Sequence, residues 1–256
     1  MARSRTYRII IFLLGMMTST SALAADRTIS SGDKKVLLVE LYTSEGCSSC
    51  PPAEKWMNTL IDDSQLWQQF VPVAFHVDYW DYIGWKDPYA NPRYTQRQRA
   101  IARANGQSTI YTPEFVVDGV EARGSRSIGD QVTQTYDSPA EADMVLTLSE
   151  VTGGNFTAEV KVDALRHVGE ENAELYLVIY ESGLQSDVNA GENVGKKLSH
   201  DYVVRYLSPA QLTGSGRYHK YELQLGADWN QANVGIAAFV KTQGSGRTLQ
   251  AVKISL

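Results

Sequence analysis

Cysteine and basic charge are scarce in this sequence, and it has no long apolar run. Its 256 residues hold two cysteines. None lies directly behind the apolar stretch at residues 9–17, which excludes a lipoprotein anchor. That stretch is also too short to span a bilayer comfortably, since a membrane-spanning helix needs about 20 apolar residues. Lysine and arginine number 24 against 29 acids, for a formal net charge of −5. An acidic chain of this kind offers no electrostatic footprint for nucleic acid.

The N-terminus carries Arg3, Arg5 and Arg8, then the apolar stretch, then Ala22-Leu23-Ala24. This charged, apolar, small-residue order is that of a secretory signal peptide over residues 1–24, with an uncleaved anchor as the competing reading. The mature chain is expected to begin near Ala25 in an oxidising space, a bacterial periplasm, without stable membrane insertion. Removing 1–24 deletes three arginines and no acid, which moves the formal charge from −5 to −8. The remaining length suits one large domain or two small ones.

Both cysteines lie in Glu45-Gly46-Cys47-Ser48-Ser49-Cys50-Pro51-Pro52, directly after the apolar run Val36-Leu37-Leu38-Val39-Glu40-Leu41-Tyr42. The run predicts a buried strand, and the two prolines suit the first turn of a helix, where N–H groups have no intrahelical partner. Cys47 and Cys50 therefore sit where free N–H groups and the positive helix end stabilise a thiolate. Cys47, ahead of the helix, is expected to be the more exposed, attacking sulfur, and Cys50 the resolving one. Ser48-Ser49 carries no charge to lower the thiol pKa further, and Glu45 is expected to oppose thiolate formation by repulsion, which predicts a moderate potential. The competing reading is a permanent disulfide staple, although so short a loop constrains few unfolded conformations.

The pattern to about residue 137 alternates strands and helices. A helix is predicted over 53–70 with Trp56, Leu60, Ile61 and Trp67 as core positions. A strand follows over 70–77, then an aromatic irregular segment with Tyr79, Trp80, Tyr82, Trp85 and Tyr89, and an arginine-rich helix over 92–105 closed by Gly106. Thr112-Pro113 leads into a strand, a turn at Asp118-Gly119 and a returning strand, with a closing helix over 127–136. This order around a CxxC resembles the thioredoxin fold. The stretch from Val39 through the cysteines to Glu54, with His76-Val77-Asp78-Tyr79-Trp80-Asp81 and Thr112-Pro113, is similar to the secreted thioredoxin-like family called domain of unknown function 1223. The resemblance implies that Thr112-Pro113 is a cis-proline loop facing the cysteines, which would present the backbone of Thr112 to an extended substrate. An ordinary strand-start proline is the alternative. It also sets Glu40 near where thioredoxins keep a buried acid that serves the resolving cysteine, against a plain edge or surface carboxylate.

After Pro139 the pattern changes to period-two alternation, as in Phe156, Ala158, Val160 and Val162 against Thr157, Glu159, Lys161 and Asp163. Strands are predicted at 144–151, 156–162, 173–181, 200–207, 218–225, 234–242 and 248–256, without an internal repeat. The expected architecture is an α/β thioredoxin-like domain over 33–137, followed by an all-β antiparallel sandwich over 143–256. The segment from Asn189 to Arg205 is expected to form a hairpin loop with a charged tip, and docking on the first domain is the alternative.

The function these residues support is thiol–disulfide exchange through Cys47 and Cys50 on a protein thiol or disulfide partner, without a cofactor. Glu40, Thr112 and Pro113 are supporting residues, and Tyr79 and Trp80 are candidate substrate contacts. The competing class is a non-enzymatic binding or assembly module with a structural disulfide. A copper-handling protein is a third reading, since His76 and Asp78 face one side of a strand and could join the cysteines. That ligand set is thin, and no metal site is expected. His167, His200 and His219 are expected to be surface or core polar residues.

Overall fold

The computed structural model describes residues 26–62, 68–135, 137–166, 173–244 and 246–256. The expected leader at 1–24, Trp67 and His167 lie outside the described residues. In chain order, the first half consists of β1 (Arg27–Ser30), β2 (Leu37–Thr43), α1 (Pro51–Asn58), β3 (Phe70–His76), α2 (Pro92–Ala104), β4 (Glu114–Val117), β5 (Val120–Ala122) and α3 (Gly124–Thr135). Every residue of β2 and β3 is buried. Strands covered on both faces carry unbroken apolar runs of this kind rather than alternating ones. β2 pairs parallel with β3 and antiparallel with β4, which turns back into β5. The turn uses Asp118 and Gly119 at positive φ. A Cβ on Gly119 would stand 2.3 Å from the Gly246 carbonyl oxygen, so only glycine fits there.

The helix expected over 53–70 is shorter than its apolar pattern suggests. α1 stops at Asn58 and a 3-10 turn, Thr59–Asp62, follows. Leu60 is buried and Trp56 packs on the core, but Ile61 is 56% exposed. Tightening to three residues per turn rotates successive side chains off the stripe that a 3.6-residue period would bury.

The second half contributes β6 (Ala142–Leu148), β7 (Asn155–Leu165), β8 (Ala173–Glu181), β9 (Leu184–Asp187), β10 (Lys197–His200), β11 (Val203–Leu207), β12 (Gln211–Thr213), β13 (Arg217–Gln224), β14 (Val234–Thr242) and β15 (Thr248–Ser255). The strand expected over 200–207 is broken by Tyr202 at φ 59°, which separates β10 from β11. The large mixed sheet runs β15-β14-β8-β11-β3-β2-β4-β5, with β12 also beside β8. A second sheet runs β1-β6-β7-β13, and β9 and β10 form a separate hairpin.

The expected sandwich is present, but it is not a self-contained all-β unit. Its core lies between the four-stranded sheet and the β8, β14 and β15 end of the large sheet. β11 lies parallel beside β3, where Ala74 N donates to the Tyr202 carbonyl at 2.8 Å. β1, from the first half, forms the edge of the four-stranded sheet against β6. Strand alternation then serves two cores at once. Leu175, Leu177 and Ile179 of β8 face the sandwich, while Val178 and Tyr180 join the core of β2, β3 and α2. No described helix is long and apolar enough to cross a membrane.

Candidate functional site

The chain leaves β2 at Thr43 and tightens into two short turns, with Cys47 N bonded to Ser44 O and Cys50 N to Cys47 O. Cys50 is the N-cap of α1 with helical dihedral angles, and Pro51 and Pro52 fill its first turn. Both thiols are free and closed to solvent, and Cys47 is the less deeply enclosed of the two. The pair is strongly polarised. A hydrogen bond from Cys50 is the main cause that brings the Cys47 thiol down to about 6. Burial opposes the shift, and the Ser49 hydroxyl, 3.2 Å away, and Thr112 add to it. Burial pushes Cys50 far up, and the neighbouring Cys47 pushes it further. The uncharged Ser48-Ser49 dipeptide thus lowers the Cys47 pKa through a hydroxyl rather than a charge.

The Thr112–Pro113 peptide bond is cis, and its loop faces the pair: as a thiol, Cys47 donates to the Thr112 carbonyl at 3.7 Å. Gln98 of α2 anchors this loop through Nε2 bonds to the Tyr111 carbonyl and the Glu114 carboxylate, at 2.7 and 2.6 Å. Trp80 Nε1 donates to Thr112 Oγ1 at 2.7 Å. Beside the loop lies a groove of about 690 Å³, lined by Ser49, Trp56, Pro113 and Phe115 among others.

A segment between β9 and β10 covers the motif. Asn193, fully buried, donates through Nδ2 to the carbonyls of Glu45 and Cys47 at 2.7 and 2.9 Å. Glu192 Oε2 accepts from Ser48 N at 3.1 Å. Gly191, at φ 71°, lies so close that an added Cβ would stand 3.2 Å from Trp85 Cβ. The expected hairpin loop is present, and its tip also docks on the first half, as the competing expectation had it.

Beneath the motif lies a buried cluster of acids and histidines. Glu45 turns inward, accepting from Trp85 Nε1 at 2.7 Å and meeting His200 Nε2 at 2.9 Å. The other ring nitrogen of His200 is 2.7 Å from Glu54 Oε2. Glu54 Oε1 also accepts from Thr43 Oγ1. His76 Nδ1 lies 2.7 Å from Asp87 Oδ2, which also accepts from Glu45 N. Burial alone would lower the His200 pKa, but the two carboxylates on its ring raise it to about 10. Burial alone would raise Glu54 and Asp87, yet both are held below the usual carboxylate range, by His200 and His76 respectively. The Glu45 carboxylate is thus engaged by Trp85 and His200.

Residues 38–241 match the family described as Protein of unknown function (DUF1223). The chain belongs to the DUF1223 family. Its fold is similar to the crystal structure of a protein from Agrobacterium tumefaciens, at 23% identity, TM-score 0.64, and 88% and 96% of the two chains covered. It is also similar to HBP35 of Porphyromonas gingivalis, at 19% identity and TM-score 0.66, covering 88% of this chain and 76% of that one. No curated protein matches.

In this DUF1223 chain, Cys47, Cys50, Thr112 and Pro113 are brought together, and Trp80 reaches them through Thr112. Tyr79 is half-buried against the core. Glu40 is fully buried, and its carboxylate meets Arg97 at 2.6 Å. Successive residues of β2 point to opposite faces, so Glu40 looks toward α2 while Thr43 looks toward α1. Asp78 bonds Thr95 Oγ1 of α2 and does not join His76. His219 is a half-buried polar residue bonded to Gln211 and Thr213. The sequence reading gave Asn193, Glu54 and His200 no role at the site, although Glu54 lies at i+4 from Cys50 and so one turn beneath it on α1.

Proposed function

We propose that this protein is a thiol–disulfide oxidoreductase with a thioredoxin-like active site, acting through Cys47 and Cys50 on a protein disulfide or dithiol. The observation that carries this reading is the polarity of the pair: Cys47 is held as a thiolate near neutral pH while Cys50 keeps its proton. Supporting it are the strand, CxxC helix and strand order of β2, α1 and β3, and the cis Thr112–Pro113 loop across from Cys47.

In the reducing direction, the Cys47 thiolate attacks one sulfur of a substrate disulfide. An S–S bond forms between Cys47 and that sulfur, and the other substrate sulfur leaves as a thiolate that takes up a proton. Cys50 then loses its proton and attacks Cys47 Sγ, releasing the second substrate thiol and leaving a Cys47–Cys50 disulfide. Two electrons have passed to the substrate, and a partner dithiol must return them; oxidation of a substrate dithiol is the reverse sequence. The groove beside Pro113 suits an apolar side chain of an extended substrate, and Thr112 supplies backbone groups to pair with it. Access to Cys47 requires the segment around Asn193 to move aside.

A Cys47 pKa near 6 falls between about 7 for thioredoxin and about 3.5 for DsbA. The potential is therefore expected between their values of about −270 and −120 mV. Equilibration in glutathione buffers measures it. A value well below about −300 mV with negligible exchange would leave the alternative, a structural disulfide in a binding module, a reading that the full burial of both sulfurs favours. Cys50→Ser should trap a mixed disulfide with the substrate, and Cys47→Ser should not. Export to the periplasm through residues 1–24 belongs to the same reading, and N-terminal sequencing of the protein from fractionated cells checks it.

A further inference from the structure

His76 and His200 share an arrangement that the thiol chemistry does not use. Each ring has one nitrogen taken by a buried carboxylate: His76 Nδ1 by Asp87 at 2.7 Å, and His200 Nε2 by Glu45 at 2.9 Å. The other nitrogen of His76, Nε2, is buried without any hydrogen-bond partner. His200 Nδ1 lies 2.7 Å from Glu54 Oε2 but lacks the alignment of a hydrogen bond. One donor atom from each of Glu54, His76 and His200 lies within 4.8 Å of the others. A buried, unpartnered imidazole nitrogen costs free energy unless something occupies it. A carboxylate on the far ring nitrogen is the arrangement that orients a metal-bound histidine and raises its basicity.

We propose that Glu54, His76 and His200 form a binding site for a divalent transition-metal ion, with Asp87 and Glu45 as the outer partners that fix the two rings. Two imidazoles and one carboxylate suit zinc, or iron in the two-histidine, one-carboxylate pattern. Magnesium and calcium are disfavoured because they take oxygen ligands almost exclusively. Three buried carboxylates around the rings supply the negative charge that a buried cation needs. The three ligands come from α1, β3 and β10. The ion therefore ties the helix that carries Cys50 to the large sheet and to the second half of the chain. The ligand set contains no sulfur, and Glu54 stands one turn below Cys50 on α1.

The test is titration of the mature, chelator-stripped protein with zinc, followed by calorimetry and thermal melting. Expected are one ion per chain and a raised midpoint, because a ligand that binds only the native state stabilises it. His76→Ala and His200→Ala should each abolish saturable binding, and Asp87→Asn should weaken it about 10–100-fold. The Cys47→Ser/Cys50→Ser double variant should bind as the parent does. No saturable binding to the parent, binding that survives both histidine variants, or binding lost with the cysteines would overturn the proposal. Should the histidine variants fail to fold, cobalt substitution of the unmutated protein decides. Ligand-field absorption without a thiolate charge-transfer band is expected, and its absence, or the presence of that band, refutes the site.

Discussion

Cys50 governs the ionisation of Cys47 more than any other group, because its thiol donates to the thiolate across one turn. Ultraviolet thiolate absorbance of the reduced protein should titrate with a midpoint near 6, and Cys50→Ala should move that midpoint toward the usual thiol value of 9. The sign follows from the depressed pKa. Above the midpoint Cys47 is a thiolate, and as pH falls through it the thiol re-forms and nucleophilicity is lost. The reduced fold should correspondingly lose stability relative to its unfolded chain as pH falls from 9 toward 6. Glu40 has a different task. Arg97, which it pairs, is buried over the rings of Phe75, Tyr176 and Phe239. Glu40→Ala would leave that guanidinium uncompensated, at an expected cost of about 3–5 kcal/mol in urea unfolding. The Cys47 midpoint should stay where it is. A shifted midpoint with unchanged stability would assign Glu40 to the cysteines instead.

At the scale of elements, α1 and the segment between β9 and β10 act as a pair, one presenting the cysteines and the other covering them. Asn193→Ala removes the donor to two buried carbonyls, with an expected stability loss of about 1–3 kcal/mol. The rate of Cys47 alkylation should rise in the same variant; an unchanged rate would show that the cover does not limit access. The cysteines, the helix start and the hairpin after Pro113 were legible in the sequence because each depends on neighbours within a few residues. The cover was legible only as a competing expectation of docking, without its contacts, since Asn193 finds Glu45 and Cys47 some 148 and 146 residues away. His200 was read only as a surface or core polar residue, without its partner, because Glu45 is 155 residues distant. β1 left no signal, because all four of its residues are exposed and show no apolar alternation.

At the scale of the whole molecule, the large sheet makes the two halves interdependent. Without residues after 137, β3 loses β11, and the core around β2 and α2 loses Val178, Tyr180, Tyr202 and Phe239. A fragment covering 26–137 should therefore show no cooperative melting transition by circular dichroism, and a sharply melting fragment would contradict the shared sheet. Apolar runs announced the strands of the first half and period-two alternation those of the second, but neither specifies neighbours, so the β3–β11 pairing could not be read from them. One further bond carries a consequence of its own. Val36 N donates to Gln250 Oε1 at 2.7 Å across 214 residues, and Gln250 Nε2 reaches back to the Lys34 carbonyl at 3.0 Å. The start of β2 is thus sealed by the last strand of the chain. Gln250 is synthesised 214 residues after Val36, so β2 stays unsealed until β15 has been made. Sealing β2 therefore falls on the slow timescale that distant pairings impose.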